Sequence, residues 1–116
     1  MANEVEARSL TVNERDLLRK IVRAPREPNA AALDSQGDAV TVTGGLPTLL
    51  DLSVDRAVEA APIEDGPLPV RAIVSDAHGE ILVWVKSGYL DGLEFAWTTE
   101  HAPIEMPESD RITLAP

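Results

Sequence analysis

The spacing of apolar residues changes once along this chain, near residue 38, and that change does most to limit its fold. Before it, Leu17, Leu18, Ile21 and Val22 recur at i, i+1, i+4 and i+5, the stripe of an amphipathic helix. After it, short runs such as Thr48 to Val54 (TLLDLSV) place apolar side chains at every second residue, the pattern of a pleated strand with one buried side. A helical start followed by successive strands with short turns belongs to the α+β class. The expected architecture is one N-terminal helix, with room for a second, packed on a four- to five-stranded, mainly antiparallel sheet.

The first helix carries its own boundaries. Thr11-Val12-Asn13-Glu14 has the capping-box spacing: the Thr hydroxyl accepts from the amide of residue 14, and the Glu carboxylate reaches back to the Thr amide. Pro25 disfavours helix at Ala24, which predicts a helix over about 12–23. Asn29 as a cap and Gly37 as a terminator frame a shorter helix over Asn29 to Gln36. Residues 1–9 are polar and read as loose, leaving 10–116 as the folded domain.

Strands are predicted at 39–43, 48–54, 70–75 and 80–86, with breaks at Gly44-Gly45-Leu46-Pro47, through the Pro-containing loop 56–69, and at the Asp76-Ala77-His78-Gly79 turn. Ser87-Gly88 is a two-residue hairpin turn. The strand after it has a phase error. Leu93, Phe95 and Trp97 share one side, and Leu90 falls off that side by one residue. One extra residue near Asp91-Gly92 restores it, so a β-bulge is predicted there. Beyond Thr99, Pro103 and Pro107 keep residues 100–116 extended as an arm, with Ile104, Met106, Ile112 and Leu114 as possible anchors.

The strand Glu80 to Lys86 (EILVWVK) differs from the others. Ile81, Val83 and Val85 point one way, Leu82 and Trp84 the other. Apolar residues on both sides require that both faces of the sheet be at least partly covered. The helix supplies one cover. The loop 56–69, the C-terminal arm or a second copy of the chain must supply the other. The four aromatics, Trp84, Tyr89, Phe95 and Trp97, fall within fourteen residues, so the last third of the chain is expected to hold the centre of the core.

Charge narrows the partners. The chain of 116 residues has a formal charge of −10, and the imbalance lies after residue 28, where fifteen acids face four bases. Such a surface repels phosphate backbones and anionic lipid, so nucleic acid and membranes are not expected partners. No apolar run is long enough for a membrane helix, and Met1 to Leu10 has no apolar stretch of a secretion signal, so a cytoplasmic location is expected. The absence of cysteine removes disulfides, thiolate ligands and thiol nucleophiles.

Reactive constellations are scarce. No GxSxG, phosphate-binding Gly-rich loop or HExxH is present. His78 reads as a turn residue. His101, between Glu100 and Glu105, has the donor types of a metal or acid–base site but no ligand spacing. The acids read as exposed apart from Asp51 and Glu94. No catalytic residue, metal or cofactor is expected. Arg15, Arg19, Arg23 and Arg26 run along one helix face and read either as a solvated face or as a docking stripe. Trp97 reads chiefly as core. Tyr89 follows a turn, where a ring beside Trp is often exposed and able to anchor a partner.

Three segments carry a likeness: LTVNERDLLRKIV, GGLPTLLDLSVD, and ILVWVKSGYLDGLEFAWTTEHAPIEMPESDRI. Together they resemble a group of small uncharacterised actinobacterial proteins with a helical start, a Gly-Pro break before a strand, a closing hairpin of pattern V-x-x-G-x-L-x-x-L-E and an acidic, Pro-rich tail. The hairpin residues here are Val85, Gly88, Leu90, Leu93 and Glu94. Some such proteins carry cysteines before the break, where this chain has Val40 to Gly45. The resemblance implies the architecture and no activity.

The expectation is therefore a non-catalytic cytoplasmic interaction module, acting on a protein partner or on its own second copy as a homodimer. An acidic immunity- or inhibitor-like protein is one concrete form. Tyr89, Trp97, Arg15, Arg19 and Arg23 are its expected contact residues. The alternative is a small-molecule-binding protein or minor enzyme with a pocket between helix and sheet near Trp84 and Trp97.

Overall fold

A computed structural model describes residues 4–24, 30–75 and 78–115. Pro25, Arg26, Asn29 and the Asp76-Ala77 turn lie outside the described residues. The elements in chain order are β1 (Arg8–Ser9), α1 (Val12–Val22), α2 (Ala30–Gln36), β2 (Val40–Leu46), β3 (Leu49–Val54), β4 (Gly66–Pro67), β5 (Ala72–Val74), β6 (Gly79–Lys86), β7 (Tyr89–Trp97) and β8 (Ile112–Leu114), with a 3-10 turn at Ser109–Arg111 before the last.

The fold is α+β, as expected, but among the described residues the sheet has eight strands rather than four or five. Their order is β1-β2-β3-β7-β6-β5-β8, with β4 paired to the part of β6 that β5 leaves free, and every pairing is antiparallel. The strands that the spacing did not reveal are β1, β4 and β8. Each is two or three residues long, too short to show an alternation. Residues 4–9, expected to be loose, are tied down: Arg8 and Ser9 pair with β2, and the Val5 amide donates to the Gly45 carbonyl at 2.8 Å.

Helix α1 begins where its capping box sets it. The Glu14 amide donates to the Thr11 hydroxyl at 3.1 Å, and the Thr11 amide donates to the Glu14 carboxylate at 2.9 Å. Leu17, Leu18, Ile21 and Val22 point inward and are essentially closed to solvent. They meet a sheet face built from Leu50, Ile81, Val83, Leu90 and Leu93, also closed. Burying each such side chain is worth about 1.5–3 kcal/mol, which makes this layer the main source of stability.

The predicted bulge is present. Trp84 pairs with Gly92 and Val85 with Leu90, so Asp91 is the unmatched residue. Leu90 and Leu93 thereby both face the core, at 1% and 0% exposure. The β6–β7 turn has both Ser87 (φ 53°) and Gly88 (φ 82°) in the left-handed region, as a tight two-residue hairpin requires. A second irregularity corrects the reading of Gly44-Gly45 as a strand break. Strand β2 runs through both glycines with a register shift between Val42 and Gly44, and the chain turns instead at Pro47-Thr48.

The aromatic residues do not form the centre of the core. Phe95 is buried, Trp84 and Tyr89 are half-buried, and Trp97 is 39% exposed. Aliphatic side chains fill the middle instead. The C-terminal arm is anchored beside α1. The Asn13 side chain donates to the Pro107 carbonyl at 2.9 Å and accepts from the Ser109 amide at 2.8 Å. The Lys20 ammonium donates to the carbonyls of Ser109 and Ile112, and β8 then extends the sheet beyond β5. Met106 and Ile112 are buried, Leu114 packs partly against the core, and Ile104 is 79% exposed and anchors nothing.

Candidate functional site

The arm, α1 and α2 all lie on one side of the sheet. The loop after β3 does too: Val58, Ala61 and Ile63 pack into the same core. Among the described residues, no helix covers the other side. Of loop 56–69, Asp65 and Gly66 reach the other side only at the edge of a groove, and the arm packs by Met106 and Ile112 into the core.

The bare face is ordered by strand register. One cross-strand row is Leu49–Glu94–Leu82, and the next is Asp51–Gly92–Trp84. Leu49 is 41% exposed, while Leu82, Trp84 and Glu94 are half-buried against one another rather than in the core. The Trp84 indole N–H donates to the Glu94 carboxylate at 2.9 Å, which fixes the ring on the sheet. Gly92 adds no side chain beside it, and the bulge leaves Asp91 exposed next to Gly92. The result is a groove of about 470 Å³ with Leu49, Trp84 and Gly92 in its lining. Asp51, Asp65, Asp91 and Glu94 line it as well, and Lys86 is its one base. Asp65 also accepts from the Ser87 amide at 2.8 Å, joining the groove wall to the hairpin turn.

The residues predicted as contacts are not gathered on this face. Arg19 pairs with Asp38, and Arg23 donates to Asp34 at 3.0 Å, so two of the helix arginines are engaged by α2 and the residues after it. Arg15 is half-buried and makes no ion pair among the described residues. Tyr89 and Trp97 stand at opposite ends of β7. The Tyr89 ring lies under the Arg56 guanidinium, 3.9 Å from its centroid, and its hydroxyl donates to the Val58 carbonyl at 2.9 Å.

Among the described residues, Leu17, Leu18, Ile21 and Val22 are closed to solvent between helix and sheet, and Trp84 is on the opposite side, away from the pocket expected there. A different hollow, also about 470 Å³, lies where the arm leaves the end of β7. Both histidines of the chain, His78 and His101, line it together with Arg111, Glu105 and Glu108. Arg111 approaches His78 Nδ1 at 3.4 Å. Their separation in sequence gave no sign that the two imidazoles share a cleft. Among the described residues, no three His, Asp or Glu side chains converge on a point that would hold a metal ion.

Two polar residues inside the molecule also escaped the sequence. Glu14, read only as a cap, is 7% exposed and takes both guanidinium nitrogens of Arg8 at 2.7 and 2.9 Å. Burial pushes its carboxyl up, but the bonds from Arg8 and Thr11 outweigh burial and hold it below its ordinary value. Gln36 is fully buried. Its amide donates to the carbonyls of Gly88, at 2.8 Å, and Glu59, and its oxygen accepts from the Leu90 amide at 2.9 Å, so α2 is locked to the hairpin turn.

Compared with protein-family models, with curated proteins and with solved structures, the chain finds no match in any of the three. Among the described residues, no helix is long and apolar enough to cross a membrane.

Proposed function

We propose that this chain is a non-catalytic protein-interaction module that docks a cationic partner on the uncovered face of its sheet. The observation that carries the reading is the apolar patch of exposed Leu49 with half-buried Leu82 and Trp84, in two adjacent cross-strand rows set among carboxylates, on a face that no described helix covers. Exposed apolar surface with a polar rim is characteristic of docking sites. The fixed indole supplies the rigid, amphipathic side chain that interfaces favour. Charge selects the partner. A second copy would set four carboxylates against four more, whereas a basic surface is attracted and steered to the face. An acidic cytoplasmic inhibitor or immunity-like protein acting on a basic target is the concrete form of this reading, with homodimerisation as the competing one.

Affinity capture from native lysate tests it when run with wild type, Leu49→Asp and His101→Ala side by side. The expected result is one basic protein retained by wild type and by His101→Ala, and lost with Leu49→Asp. Retention that ignores Leu49, or sedimentation as a dimer that Leu49→Asp dissociates, overturns the cationic-partner reading. The shared cleft of His78 and His101 favours a second reading, a small-molecule site. Retention lost only with His101→Ala, together with a bound small molecule in native mass spectra, is its signature.

A further inference from the structure

We infer that the groove beside Trp84 is a seat for an arginine side chain of the partner, an inference that rests on the docking reading and makes its chemistry specific. The lining combines two kinds of surface that one ligand must satisfy together. Leu49, Gly92 and the Trp84 ring are apolar or aromatic, and Asp51, Asp91 and Glu94 are anionic. A purely aliphatic side chain would leave the carboxylates without partners. A lysine ammonium is a strongly hydrated point charge that loses much of its shell against an indole. A guanidinium is planar, weakly hydrated, stacks on aromatic rings and offers donors in the fork that matches carboxylates.

The groove has unused capacity for those donors. Asp51 and Asp91 make no side-chain hydrogen bond or ion pair among the described residues, and only one oxygen of Glu94 is taken, by the Trp84 indole. That same bond holds the indole in place, so the ring needs no reordering when a cation arrives. Gly92 keeps the floor open. A Cβ placed there would stand 3.5 Å from Trp84 Cβ and 3.6 Å from its Cδ1, ordinary contact distances, so alanine is tolerated and partly fills the seat. Among the described residues, Lys86 is the only base in the lining and is outnumbered four to one by carboxylates, so the groove remains anionic.

The test uses the full chain with Trp97→Phe, which leaves Trp84 as the sole indole. Two capped eight-residue peptides serve as probes, one alternating Arg and Gly, the other Lys and Gly, at fixed salt. The Trp84 indole N–H resonance and fluorescence are followed. The Arg peptide is expected to shift the Trp84 signal and to bind about fivefold more tightly than the Lys peptide. Gly92→Ala is expected to weaken Arg binding severalfold, and Asp51→Asn with Asp91→Asn to reduce it about tenfold, with an unchanged amide spectrum elsewhere showing that each variant is folded. Equal binding of the two peptides, or a silent Trp84, overturns the seat. The two readings fail separately. A silent Trp84 with partner capture still dependent on Leu49 removes the arginine seat alone. An arginine-responsive Trp84 with capture indifferent to Leu49 removes the docking reading and keeps the seat.

Discussion

The two faces of this sheet come from the same strands and have opposite fates. On the inner face, Leu50, Ile81, Val83 and Leu93 are closed by α1, α2 and the arm. On the outer face, Leu49, Leu82 and Trp84 alternate with them in sequence and stay partly in water. Alternation determines which residues share a face. It does not determine which elements return to cover that face, because cover comes from loop paths and from the place where the arm docks. The inner face should therefore govern stability and the outer face association.

The largest difference is expected between Leu93 and Leu49. Leu93→Ala empties a fully buried site and should cost about 2–5 kcal/mol by urea unfolding. A loss below about 1 kcal/mol would mean the inner layer is loosely packed. Next is Gln36→Ala, which strands the buried Leu90 amide and loosens α2 from the hairpin turn. It should cost about 2 kcal/mol in the same assay.

Glu14 gives a pH-dependent contrast within the inner layer. Its folded carboxyl is held below the ordinary value of 4.5. The stability it contributes is therefore fully present above that value and is lost as pH falls through the lower, folded-state value. Glu14→Gln should destabilise the protein by about 1–2 kcal/mol at pH 7, with the gap to wild type narrowing at pH 3. A gap that stays constant from pH 7 to 3 would contradict the ion pair of Glu14 with Arg8. The smallest effect belongs to the outer face. Leu49→Thr, at a site 41% exposed, should change stability by less than about 0.5 kcal/mol while weakening capture of the partner.

What could be read in advance follows from range. The capping box at Thr11 and Glu14, the Ser87-Gly88 turn and the bulge at Asp91 depend on neighbours within four residues, and all were legible. The bulge was legible because a single extra residue shifts the phase of Leu90 against Leu93, a local count. The strands β1, β4 and β8 were not, since a two- or three-residue strand exists only through its partner across the sheet. Gln36 looked like an ordinary helix-end residue, and its burial follows from the hairpin folding back over α2. The aromatic residues misled for a similar reason: size predicts burial on average, but the register of Trp84 set it on the face that no described helix covers. The groove was half legible. Asp51 and Glu94 read as the acids apart from the others; Glu94 is half-buried but Asp51 is exposed, and the bond from Trp84 to Glu94 needed the β6–β7 register to be known.

Solvent paramagnetic attenuation of side-chain resonances, with a neutral soluble nitroxide, probes the uncovered face directly. Strong attenuation is expected for the Leu49 and Leu82 methyls and the Trp84 ring, and none for Leu17, Leu50 or Leu93. Protection of Leu82 and Trp84 equal to that of Leu93 in the isolated protein would mean the outer face is already covered, and would contradict the account.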